Sequence, residues 1–72
     1  MQFWAVYRQV DENQLMLSAI FTKENHAQYY AKEYRDYDFI PWILDYGNDL
    51  NSVSKSMSVK DARDLGNGVY WD

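Results

Sequence analysis

Residues 2–10 carry rings, β-branched and other apolar side chains with no Gly or Pro, which predicts a strand. Asp11, Glu12, Asn13 and Gln14 are polar throughout and read as a turn. The apolar run resumes over residues 15–21 as a second strand, so the two should form a hairpin with a two- or four-residue loop. Alternation then puts Trp4, Val6 and Val10 on one face with Leu15, Leu17, Ala19 and Phe21, the expected core. The opposite face holds Phe3, Ala5, Tyr7, Met16 and Ile20 and is hardly polar. A sheet with one wet side alternates apolar and polar positions. This second face is therefore expected to be covered as well, by later chain or by a partner.

At Thr22 the period changes from two to 3.6. Thr22 is a candidate N-cap for a helix over about residues 23–36, with Glu24 at the positive end of its dipole. Ala27, Tyr30, Ala31, Tyr34 and Tyr37 share one stripe, in which the alanines let the helix approach the sheet closely. Residues 39–44 suit a third strand, with Pro41 marking an edge or a strand start because it donates no ladder hydrogen bond. A helical turn with Pro41 at its first position is the competing reading. Gly47-Asn48-Asp49 breaks the chain, and residues 52–59 balance strand alternation against four loop-favouring serines. Ser58 with Asp61 predicts the start of a short helix that Gly66 ends. Val69-Tyr70-Trp71 forms an apolar tail expected to dock on the sheet. The predicted class is α+β: an N-terminal antiparallel hairpin, a central amphipathic helix on the sheet, a third strand and a short C-terminal helix.

Composition narrows the function. Seventy-two residues make a single domain over residues 1–72, too short for a second core. There is no Cys, which removes disulfides and thiolate zinc sites and fits a reducing, cytoplasmic setting. Three Trp, seven Tyr and three Phe supply more ring surface than one small core needs, and Tyr and Trp are also favoured at interfaces. The net charge of −4 and the lack of a basic run argue against direct binding to nucleic acid or to an anionic membrane. No apolar stretch approaches the roughly 20 residues of a membrane-spanning helix, and the N-terminus lacks the basic region of a signal peptide.

Catalytic chemistry finds little support. His26 is the single histidine, at the edge of the helical apolar stripe, with no marked nucleophile or orienting group; a half-buried boundary position is expected. The oxygen-rich stretch from Asp45 to Asn51 fails as a calcium loop: counting from Asp45, Gly47 is third where the loop needs glycine sixth, and Ser56 is twelfth where it needs glutamate. Turn chemistry accounts for it better. No metal, cofactor or catalytic residue is assigned. Tyr29 is the outlier, pointing well away from the apolar stripe, with Glu33 and Asp36 nearby on the outer helix face. These residues, continued by Tyr37, Asp38 and Trp42, make a candidate partner-binding patch in which the ring anchors and the acids steer.

Phe3-Trp4-Ala5 opening a strand, a second strand ending Ile20-Phe21-Thr22, and a helix bearing Ala27 and Ala31 resemble the small phage-encoded ββα and ββαβ host-inhibitor proteins. The outline is similar to the phage T7 inhibitor of bacterial RNA polymerase over residues 2–46. That inhibitor presents basic residues after its third strand, where Leu44-Asp45-Tyr46-Gly47 here carries an acid, so no functional residue is transferred. The resemblance implies a class, proteins that bind and block a host machine. The resulting expectation is a non-enzymatic module that binds a basic site on another protein through an acidic and aromatic surface. The alternative is a self-assembling protein, a homodimer that buries its apolar second sheet face.

Overall fold

A computed structural model describes residues 1–35 and 40–64. Strand β1 (Phe3–Gln9) and strand β2 (Gln14–Phe21) form the expected antiparallel hairpin, followed by helix α1 (Glu24–Arg35) and strand β3 (Ile40–Gly47). A 3-10 turn (Leu50–Ser52), the short strand β4 (Ser56–Ser58) and helix α2 (Val59–Asp64) complete the described chain. The sheet order is β3-β1-β2-β4, with every neighbouring pair antiparallel. The α+β expectation therefore holds, and β1 and β2 lie at the centre of the sheet.

The hairpin loop is the four-residue form, residues 10–13, closed by Val10 N donating to the Gln14 carbonyl at 2.9 Å. Asp11 Oδ1 accepts from Asn13 N at 2.8 Å, a side-chain turn that holds the loop without glycine. Helix α1 starts one residue later than the capping expectation. Ala27 N bonds the Lys23 carbonyl at 3.2 Å, so Lys23 and not Thr22 stands at the cap. The Ser58 expectation is met: Asp61 N donates to Ser58 Oγ at 3.0 Å at the start of α2. Pro41 falls within the edge strand β3, where its missing donor is tolerated. Residues 52–59, open between strand and loop, contain both: a loop over 53–55 and β4, with Ser52 ending the 3-10 turn and Val59 starting α2. The expected Gly66 stop and docked Val69-Tyr70-Trp71 tail lie outside the described residues.

One finding changes the face assignments. Val6 pairs with Ala19 but Tyr7 pairs with Leu17, so Ser18 is an extra residue in β2, a β-bulge. Past it the alternation inverts. Ala19 and Phe21 stay with Trp4 and Val6, whereas Leu15 and Leu17 join Ala5 and Tyr7 on the other side. The sheet thus carries two apolar layers rather than one core. Under α1, Val6 packs with Ala27 and Ala31, flanked by Trp4, Phe21, Tyr30 and Ile43. Both alanines are fully buried, which brings the helix backbone close to β1, and the Phe21 and Tyr30 rings meet at 5.2 Å with a tilt of 56°. On the other face Ala5, Tyr7, Leu15 and Leu44 pack against Val59 and Ala62 of α2, with Val53 and Met57 alongside. The later chain therefore covers the second face, as its apolar character required.

Gly47 ends β3 at φ +60°, a left-handed conformation, and its amide donates to Asp45 Oδ1 at 2.8 Å. A Cβ added there would meet nothing within 4 Å, so a substitution would cost only backbone strain. Gly47→Ala is expected to lower stability by about 1–2 kcal/mol in urea unfolding, without change in the fluorescence of the folded state.

Candidate functional site

Tyr29 lies on the outer face of α1 and is 73% exposed. Glu33 follows one helical turn later and is also exposed, so these two members of the candidate patch share a surface. His26, one turn before Tyr29, is exposed rather than half-buried. Trp42 stands elsewhere. It pairs with Tyr7 across β3 and β1, packs in the layer beneath α2, and donates its Nε1 hydrogen to Gln9 Oε1 at 3.0 Å. The sheet separates it from α1, and its ring is used in packing. Asp36, Tyr37 and Asp38 lie outside the described residues. The structure thus brings Tyr29 and Glu33 together and leaves Trp42 on the opposite layer.

A second acidic and aromatic surface was not singled out from the sequence. Asp45, Tyr46, Asp49, Ser52, Ser54, Met57 and Asp61 line an open depression of about 390 Å³ on the α2 side of the sheet. Four parts of the chain build it. The end of β3 supplies Asp45 and the bulged Tyr46, where the β1–β3 register shifts between Phe3 and Trp4. The segment after Gly47 supplies Asp49, Ser52 and Ser54, while β4 and α2 supply Met57 and Asp61. Asp45 has structural duties: both carboxylate oxygens accept from Gln2 Nε2, at 2.9 and 2.8 Å, and Oδ1 also caps Gly47 N. Asp49 Oδ2 accepts from Ser52 Oγ at 2.5 Å. Asp49 and Asp61 are exposed, so their charges face solvent at the rim.

Tyr7 lies behind this lining, fully buried and hydrogen-bonded to two of its residues. Its hydroxyl donates to the Ser54 carbonyl at 2.6 Å and accepts from Tyr46 Oη at 3.1 Å, since its one hydrogen is spent on the carbonyl. Burial, helped by the Tyr46 contact, pushes the Tyr7 hydroxyl well above the ordinary tyrosine range. It is neutral at any physiological pH and acts as a packed, hydrogen-bonded post, not as an acid or base.

Among the described residues no three His, Cys, Asp or Glu side chains come together as a metal-ligand set, and the depression's aspartates are spread around a rim. No helix among the described residues is long and apolar enough to cross a membrane. Comparison with protein-family models, curated proteins and solved structures finds no match for this chain.

Proposed function

We propose that this chain is a non-enzymatic protein-binding module that meets a basic surface on its partner through the acidic, aromatic depression beside α2. The observation that carries this reading is the setting of Asp45, Asp49 and Asp61 around Tyr46 and Met57 on one concave surface. A lysine or arginine has the matching chemistry: an apolar stem for the ring and thioether, and a cationic head for the rim. Rim carboxylates act mainly by steering approach and rejecting acidic partners, so the association should weaken with salt. A module that covers a basic site on a host or defence protein, the inhibitor class suggested by the β-β-α outline, is one form of this function.

A second reading retains the outer face of α1, because Tyr29 is a large ring held 73% exposed with Glu33 beside it. The self-assembly alternative finds part of its surface already occupied. Ala5 and Tyr7 are fully buried beneath the chain's own α2 layer, although Ile20 on that face stays 40% exposed. The two binding surfaces lie on opposite sides of the sheet and can be tested separately. Asp49→Lys with Asp61→Lys should reduce capture of a partner from host lysate by about tenfold or more. Tyr29→Ala with Glu33→Lys should leave that capture within about twofold. The reverse pattern assigns binding to α1, and insensitivity to both pairs of changes defeats the proposal.

A further inference from the structure

The segment between β3 and β4, residues 48–55, is attached to the rest of the molecule in an uneven way. All of its residues are exposed except Val53, which is half-buried, and its 3-10 turn contains no buried residue. Half of its hydrogen bonds stay within it: Ser52 N to the Asp49 carbonyl, Val53 N to the Leu50 carbonyl, and Ser52 Oγ to Asp49 Oδ2. At its start, Asp49 N bonds the Tyr46 carbonyl beside the left-handed Gly47. Two bonds moor its far half to the sheet. Leu17 N donates to the Lys55 carbonyl at 2.8 Å, and the fully buried Tyr7 donates to the Ser54 carbonyl at 2.6 Å.

We infer that residues 48–55 form a strap that opens away from the sheet as a unit while the two packed layers stay folded, with the Tyr7 hydroxyl as its catch. Opening breaks few buried apolar contacts, which is the property of segments that open below the global unfolding free energy. Leu15, Leu44, Val59 and Ala62 pack with one another and with Ala5 and so remain covered when the strap leaves. The consequence reaches the depression, one wall of which is the strap (Asp49, Ser52, Ser54) and the other the fixed body (Asp45, Tyr46, Met57, Asp61). An open strap widens this depression and wets the Tyr7 hydroxyl, so its width is adjustable. The inference does not depend on which partner binds there.

Native-state hydrogen exchange on the intact chain tests it, with the Leu17 amide as reporter because its acceptor is on the strap. In low denaturant the Leu17 amide should exchange through an opening that is more populated than the opening of the β1–β3 amides and nearly independent of denaturant. Tyr7→Phe should raise that opening by about tenfold. Val6→Ala, in the other layer, should accelerate the β1–β3 amides and leave the Leu17 amide unchanged. If Leu17 exchanges with the β1–β3 amides at the same denaturant slope, or ignores Tyr7→Phe while responding to Val6→Ala, the strap does not open as a unit and the inference is overturned.

Discussion

Leu15→Ala is expected to lower the unfolding free energy by about 2–5 kcal/mol, while the adjacent Met16→Ala changes it by less than about 1 kcal/mol. Leu15 is fully buried among Tyr7, Leu44, Val59 and Ala62, whereas Met16 is 38% exposed on the other face. For a domain of this size total stability is on the order of 4–11 kcal/mol, so the larger loss removes much of the folded population's margin. The partner layer is specified as well. Leu15→Ala combined with Val59→Ala should be non-additive by more than about 0.5 kcal/mol, because the two side chains share a cluster. Combined with Ala31→Gly under α1, the effects should add within about 0.5 kcal/mol. Urea unfolding of the single and double variants measures all of these. Strict alternation through β2 would give the opposite coupling, with Leu15 tied to the α1 layer.

That contrast shows which parts of the fold could be read from residues. The hairpin, α1, the edge position of Pro41 and the Ser58 start of α2 each leave a local chemical mark, and the structure contains all four. The bulge at Ser18 leaves none. Apart from Ser18 itself, residues 15–21 are apolar in both alternation phases, so one extra residue exchanges apolar positions for apolar ones, and no glycine announces it. The near-absence of a polar face was the correct warning that both sides are buried; it could not say where the sides exchange. The depression was hidden for a different reason. Its aspartates come from three separate elements, and the stretch from Asp45 to Asn51 looked like turn chemistry, which Asp45 and Gly47 do perform. A rim made by folding β3, the strap and α2 together has no linear spacing to detect. Tyr29 was legible because helical periodicity alone assigns it to the outer face. Trp42 was misplaced with it because a patch drawn along the chain ignores the sheet that intervenes.

The Tyr7 hydroxyl should make this chain increasingly unstable in alkali. Its ordinary value is 10.0, and burial with the Tyr46 contact raises it in the folded state, so the native chain holds a proton that the unfolded chain releases. Below about pH 10 the group is protonated in both states and its full contribution to stability is present. Above that pH the unfolded state binds fewer protons than the native state, so the slope of stability against pH is negative. It amounts to about 1.4 kcal/mol per pH unit for this one proton. Above pH 10 the chain should therefore lose stability from Tyr7, by at most about 1.4 kcal/mol for each pH unit. Tyr7→Phe supplies the control. At pH 7 it should be less stable by about 1–3 kcal/mol, since the Ser54 carbonyl loses its donor and Tyr46 Oη loses its acceptor. With rising pH the parent's curve falls toward that of the variant, and by about pH 11.5 the difference between them should be largely gone. Urea titrations at a series of pH values read this directly. Curves that stay parallel from pH 7 to pH 11.5 would mean that Tyr7 ionises in the folded state as readily as in the unfolded one. The buried post under the strap would then be wet, and the packing of the α2 layer around it would need to be redrawn.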